Sequence, residues 1–168
     1  MNYHNITHDD MSNGDGLRVV LWVAGCNHYC KDCQNPVTWN PGDGLPFKSK
    51  DKAEIYAELR KDYISGITFS GGDPLHPANR VEVADLMKEI KAKFPDKTIW
   101  VYTGYTWDEV QASAVMHSMM KYVDVLVEGK FVTELKDVTY PWAGSTNQRV
   151  INVKQTIKEG RIILHESH

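Results

Sequence analysis

Cysteine is scarce in this chain, and what there is sits in one place. Of 168 residues only three are cysteine, and all lie within Cys26-Asn27-His28-Tyr29-Cys30-Lys31-Asp32-Cys33. That count and clustering exclude the disulfide framework of a small secreted domain. No apolar run approaches the roughly 20 residues of a transmembrane helix. The opening Met1-Asn2-Tyr3-His4 has neither the basic nor the apolar stretch of a secretory signal. The expectation is a cytoplasmic protein whose thiols stay reduced. Neither sign of charge dominates: 19 basic against 22 acidic residues leave a formal net charge of −3, which makes no electrostatic case for nucleic acid or a membrane surface as partner. Lys88, Lys91, Lys93 and Lys97 crowd together and read as a solvated helix face. There is also no internal repeat and no low-complexity tract. With 42% hydrophobic residues, the chain reads as one domain over residues 1–168, long enough to bury a core.

The three thiols follow C-x3-C-x2-C spacing. Three cysteines can hold three corners of a cubane iron–sulfur cluster and leave the fourth iron without a cysteine, whereas an electron carrier normally closes all four. An open metal position is where substrate binds, by the logic that separates catalytic from structural zinc sites. The other reading of the same residues is a structural zinc ion with His28 or His76 as fourth ligand.

Along the chain, short β-rich runs alternate with helical patterns, as in sheets built from βα units. Leu17–Ala24 reads as the first strand, and the cysteine loop follows it at once. Residues 40–46 read as loop, and Ser49 as the cap of a helix running to about Asp62. Ile67–Ser70 is the next strand, ending in Gly71-Gly72-Asp73-Pro74. Val83, Leu86, Met87, Ile90 and Phe94 recur at helical steps before Pro95. Thr98–Tyr102 reads as a strand; Thr106 with Glu109 forms a capping box opening a helix to about Met120. Val123–Val127 is a strand before Glu128-Gly129-Lys130. Residues 150–153 and 161–164, separated by Lys158-Glu159-Gly160, predict a C-terminal β-hairpin. The fold class is α/β with mostly parallel strands. The chain is too short for a closed eight-stranded barrel, so an open partial barrel or a doubly wound sheet is expected. In both, ligands bind beyond the carboxyl ends of the strands, where the loops at the cysteines, at Gly71–Pro74 and at 128–130 would converge. The glycines and Asp73-Pro74 are equally ordinary turn residues, and Glu128 and Lys130 equally read as solvated surface charges.

These features, taken in order, resemble the radical S-adenosylmethionine enzymes. The narrower similarity is to the activating enzymes of the anaerobic (class III) ribonucleoside-triphosphate reductases. The stretches that carry it are Met1–His4, Asn13–Gly16, Gly25–His28 through Cys33-Gln34-Asn35, Ser70–Pro77, Trp100–Tyr105, Val125–Phe131 and Gly144–Arg149. The resemblance implies a partial βα barrel in which Cys26, Cys30 and Cys33 bind a [4Fe–4S] cluster. S-adenosylmethionine would chelate the open iron, and its reductive cleavage would raise a glycyl radical on the large reductase subunit, with electrons from a low-potential donor such as flavodoxin. It further implies that Gly71, Gly72 and Asp73 meet the methionine ammonium, that Glu128 meets the ribose and Lys130 the methionine carboxylate, and that Asp32, Cys33 and Gln34 lie against adenine. Asp73 stands where many of these enzymes have Glu, and Asp32 where many have an aromatic residue. Asn147-Gln148-Arg149 is expected in the site or on the partner surface. Trp39 and Trp142 are expected at an interface, and Trp100, Tyr102, Tyr105 and Trp107 in packing.

Overall fold

A computed structural model describes residues 1–33 and 35–166. Seven strands form a single open sheet in the order β3-β1-β2-β4-β5-β6-β7. They are β1 (Asn2–Asp10), β2 (Leu17–Val23), β3 (Leu45–Pro46), β4 (Ile64–Gly71), β5 (Thr98–Tyr102), β6 (Val125–Glu128) and β7 (Arg149–Asn152). The central strands β2, β4, β5 and β6 are parallel neighbours, while the flanking pairs are antiparallel. From β2 onward the parallel strands β2, β4, β5 and β6 lie side by side in chain order, while the short β3 pairs beyond β1 at the far edge. The sheet is therefore wound in one direction and has no switch point of the doubly wound kind. Helices α1 (Ser49–Leu59), α2 (Arg80–Lys93), α3 (Trp107–Ala112), α4 (Ala114–Met119) and α5 (Val153–Glu159) complete the fold.

Alternation along the strands divides the molecule. Val19, Leu21, Ile67, Phe69, Ile99, Val101, Leu126 and Ile151 pack with Ile55, Leu59, Val83, Met87, Ile90, Val110 and Met119 into the main core. Residues of opposite parity, Trp100, Val125, Val127 and Val150, form a second cluster with Tyr102, Trp142 and Ala143. No helix residue joins that second cluster. Its floor is Arg18, fully buried on β2. The guanidinium donates to Thr68 Oγ1, Thr98 Oγ1 and the carbonyls of Asp15, Ile67 and Thr98 at 2.8–2.9 Å, and it lies 5.6 Å from the Trp100 ring centre. Burial pulls its pKa down to about 10, a measure of how completely it is removed from water.

Several expectations are corrected. Leu17–Val23 is the second strand, because β1 precedes it as an antiparallel neighbour. Its sequence is polar, Tyr3 is its one buried residue, and its register is broken between Tyr3 and Asn5 and between Thr7 and Asp10. An edge-like strand of that kind shows no apolar alternation to read. Ser49 is the first helical residue of α1 and not its cap; the Asp51 carboxylate accepts from Lys48 N–H instead (2.8 Å). Thr106 and Glu109 do form the capping box of α3, but that helix ends at Ala112, and Ser113 caps a new one. The expected hairpin is a strand, a helix and a returning segment. Asn152 caps α5 through its side chain, and Gly160 closes it at φ 69°, the left-handed position favoured at helix ends. Residues 163–165 still come back to β7, through Asn152 N–H to Ile163 O and His165 N–H to Val150 O. The lysine group is only partly a solvated face: Lys91 binds Asp124 at 2.6 Å and Lys97 binds Ile64 O at 2.5 Å.

Asp124 joins three elements: Lys91 of α2, Lys154 of α5 (2.9 Å) and the N–H of Ile99 on β5 (2.8 Å). Burial raises its carboxyl, but those three donors outweigh burial and hold it below the usual value of 3.8. A carboxyl depressed on folding stabilises the protein above its unfolded pKa and loses that contribution as pH falls through the folded one. Urea midpoints should therefore fall as pH drops from about 5 to about 3, and Asp124→Asn should lose less over the same interval. Equal losses in the two proteins would show that Asp124 is not a source of the acid sensitivity.

Candidate active site

The cysteine loop leaves the end of β2 and is held from below by its neighbours' backbones. Gly25 N–H donates to Thr38 O at 2.6 Å, and Cys26 N–H to Trp39 O at 3.0 Å. From β4, Gly72 N–H bonds Val23 O (2.8 Å) and Asp73 N–H bonds Gly25 O (2.7 Å). The two glycines permit this approach. Gly71 has φ 102°, and a Cβ there would collide with the backbone of Trp22 and Val23; one on Gly72 would collide with the carbonyls of Gly25 and Thr38. Asn79 stands at the N-cap of α2 but makes no side-chain capping bond to it. Its amide donates to Ala24 O and Asp73 O at 2.8 and 3.1 Å, stitching the two loops together again.

Asp73 is 1% exposed, and its carboxylate is filled by the protein. Leu75 N–H (2.8 Å), Gly104 N–H (3.0 Å), Thr103 Oγ1 (2.9 and 3.0 Å) and His28 Nε2 (2.6 Å) all converge on it. Because a carboxylate accepts only, the His28 ring donates through Nε2. The loops after β2, β4 and β5 thus meet at one buried anion. The loop after β6 joins them through Gly129 N–H to Tyr105 O (3.1 Å).

The three thiols are free and partly exposed. Burial pushes the Cys26 thiol up to about 11, although His28 N–H donates to its sulfur and opposes that rise. Cys33 Sγ accepts from Asn35 N–H at 3.4 Å. Both histidines considered as zinc ligands are occupied. His28 is bound to Asp73. His76 Nδ1 accepts from Ala78 N–H (2.9 Å) while Nε2 donates to Asn27 Oδ1 (3.0 Å), and burial holds its pKa below the ordinary value. Three thiols in one short loop, with both neighbouring histidines already hydrogen-bonded within the protein, suit a cluster better than a four-ligand zinc ion.

Beside Cys33 opens a cavity of about 420 Å³ on the face of the sheet away from the helices. Ser70, Gly71, Tyr102, Phe131 and Trp142 are among the residues that line it. Its cover is the 131–148 connection between β6 and β7. Thr133 Oγ1 lies 2.9 Å from Lys31 O and 3.1 Å from Asp32 Oδ2, which pins that cover to the cysteine loop.

The expected site residues are therefore dispersed over distinct parts. Cys33 and Gly71 line the cavity. Asp73 is not among its lining residues. Asp32 is exposed at φ 57° and holds the cover. Glu128 is 2% exposed, its Oε1 bound by Arg149 at 2.5 Å, and strand alternation places it on the helix-covered face with Leu126. Lys130 is exposed, and its carbonyl accepts from Asn147 Nδ2 at 2.8 Å. Gln34 lies outside the described residues. Asn147-Gln148-Arg149 is a brace. Gln148 Nε2 donates to Gly129 O (2.9 Å) and its Oε1 accepts from Gly144 and Ser145 N–H, so the three residues together strap the cover to the end of β6. Trp142 packs on Trp100, Trp39 under Tyr29, and Trp107 is in the core. Sequence reading missed His28, Thr103 and Asn79 as parts of the frame. The available signal was polar residues immediately following apolar strands.

Asp73→Ala should lower the stability of the protein without metal by about 2–4 kcal/mol in urea unfolding, since it strands several buried donors at once. A loss under about 1 kcal/mol would mean that the donors find other partners.

Comparison with known proteins agrees with the thiol geometry. The family model described as a 4Fe-4S single cluster domain matches residues 12–151. Relatives named anaerobic ribonucleoside-triphosphate reductase-activating protein include that of Enterobacteria phage T4, 44% identical over 150 residues, covering 89% of this chain and 93% of the relative. That of Pasteurella multocida (strain Pm70) is 40% identical over 157 residues, covering 92% and 99%. That of Escherichia coli (strain K12) is 42% identical over 156 residues, covering 92% and 100%.

Proposed function

The chain belongs to the family of the anaerobic ribonucleoside-triphosphate reductase-activating proteins, and on that footing we propose that it is the activase that generates a glycyl radical on such a reductase. The observation that carries the proposal is the display of Cys26, Cys30 and Cys33 at the carboxyl edge of the parallel strands, beside the cavity shared by Cys33 and Gly71. In this reading residues 1–168 are one radical S-adenosylmethionine domain with an open, single-wound barrel sheet, working in the cytoplasm. Among the described residues no helix is long and apolar enough to cross a membrane.

Cys26, Cys30 and Cys33 hold the [4Fe–4S] cluster. When bound, it supplies one electron for cleavage of the sulfonium S–C5′ bond of S-adenosylmethionine, which yields methionine and a 5′-deoxyadenosyl radical able to take a hydrogen atom from a partner glycine. The chain's own work is placement. Backbone groups at Gly71 and Gly72 approach the methionine ammonium, since neither glycine has a side chain to stand in the way. Lys130 offers a compact counter-charge to the methionine carboxylate. Glu128, bound to Arg149, fixes the strand end from which Lys130 leaves. Asp32, Cys33 and Gln34 flank the adenine. The 131–148 cover and the aromatic lining keep water from the reacting carbon, and the cavity beneath takes the glycine-bearing segment of the large reductase subunit. A low-potential donor such as flavodoxin delivers the electron.

The test is anaerobic reconstitution with iron and sulfide. A reduced [4Fe–4S] electron paramagnetic resonance signal should change on addition of S-adenosylmethionine, and 5′-deoxyadenosine should accumulate. Cys30→Ala should hold no intact cluster, because two thiolates do not retain the cubane; a fully active variant would refute the assignment. Lys130→Ala should weaken S-adenosylmethionine binding roughly 10- to 100-fold, the worth of one charge-assisted hydrogen bond. An unchanged dissociation constant would return Lys130 to the solvated surface.

A further inference from the structure

We infer that Tyr102 is a specificity-determining residue for the protein substrate: its phenol donates a hydrogen bond to a backbone carbonyl of the uncharged, glycine-bearing segment that enters the cavity beside Cys33. The inference rests on the reading of that cavity as the activase site and adds to it the chemistry by which the segment is recognised.

Register places the residue. Trp22 pairs with Ser70 across β2 and β4. Tyr102 lies one step beyond the Phe69–Val101 pair on β5 and is itself paired with Val127 of β6. Trp22, Ser70 and Tyr102 therefore form one row on the face away from the main core, and all three line the cavity. Trp22 has used its polar group, since Nε1 donates to Thr7 Oγ1 at 3.0 Å. Tyr102 has not. Its hydroxyl is buried and meets no hydrogen-bond partner among the described residues, while its ring packs in the cluster that holds Trp142 and Ala143 of the cover. Burial pushes the phenol above its ordinary value, so it keeps its proton and is a donor.

A buried hydroxyl without a partner costs stability in the free protein. Departures of that kind are kept where function uses them. The lining decides what the acceptor is. Among the described residues, none that lines this cavity is Asp, Glu, Lys, Arg or His. S-adenosylmethionine bears an ammonium, a carboxylate and a sulfonium, and a charge brought onto this lining would lose its water with no counter-charge opposite. A peptide stretch around a glycine brings only amides, and its carbonyls are the acceptors that the phenol lacks. An occupant without such an acceptor would leave the hydroxyl unpaired, which is how a hydrogen-bonding site rejects the wrong partner. The cover closes over the hydroxyl, so the acceptor reaches it only as Trp142 and Ala143 give way.

The experiment follows glycyl radical formation by electron paramagnetic resonance, using the reconstituted protein and a range of concentrations of the large reductase subunit. S-adenosylmethionine binding is measured separately by equilibrium dialysis, and the urea midpoint on metal-free protein. Tyr102→Phe should raise the KM for the reductase roughly 3- to 10-fold, the worth of one neutral hydrogen bond, and change kcat less than KM. Its urea midpoint should equal or exceed that of the wild type, because the substitution deletes a buried oxygen that has no partner and keeps the ring. An unaltered KM would overturn the inference. So would a lower urea midpoint, which would give the hydroxyl a structural partner. Weaker S-adenosylmethionine binding with the reductase KM unchanged would assign the hydroxyl to the cofactor and overturn it as well. A wild-type protein with a reduced cluster that forms no 5′-deoxyadenosine would instead refute the activase reading itself.

Discussion

The buried carboxylate of Asp73 is the constraint on which the rest of the site depends. An anion taken out of water is tolerated only when donors replace its hydration, and here the donors come from three separate loops: Leu75 N–H, the Thr103-Gly104 pair and the His28 ring. Meeting that demand fixes the distances between the ends of β2, β4 and β5. The cysteine loop therefore inherits its position from a group that is not a metal ligand. It is otherwise a poor candidate for rigidity, since Tyr29 and Asp32 both adopt positive φ.

The division of the sheet into two faces follows from the same economy. Helices α1 to α5 pack on one face, where the main core lies, and the other face carries the smaller cluster and the cavity beside Cys33. Burying Arg18 at the floor of that second face is costly unless every donor is met; Thr68, Thr98 and three carbonyls meet them. Tyr102 and Trp142 of that cluster, together with Gly71, line the cavity beside Cys33. Its cover, residues 131–148, is held by few bonds at either end: Thr133 at the cysteine loop, and Asn147, Gln148 and Arg149 at β6. Between those ends Trp142 and Ala143 pack against the second cluster.

The ion pair of Glu128 and Arg149 shows how a site residue changes meaning between sequence and structure. At the end of a strand, beside Gly129 and Lys130, Glu128 reads as a ligand contact. In the fold it is buried and paired with Arg149, which β7, returning antiparallel, sets opposite it. Strand parity then turns both side chains toward the helices. Lys130, past the end of β6, escapes that parity and stays exposed.

By itself the sequence determined whatever depends on neighbours a few residues apart. The α2 periodicity, the β5 strand, the Thr106–Glu109 cap and the three-thiol spacing are local patterns, and each is found as read. The cluster and family were legible for the same reason, since the motifs stand intact in order along the chain. Only the tertiary structure decided the rest. The β1 strand is polar and exists because β2 offers it an edge. Lys158-Glu159-Gly160, plausible as a hairpin turn, ends a helix because Asn152 starts one. Asp73 is a keystone because His28 and Gly104, 45 and 31 residues away, arrive at the same oxygen. Pairings over such separations leave no period or spacing in the chain; they are chosen by which buried groups must be satisfied once the sheet has closed over them.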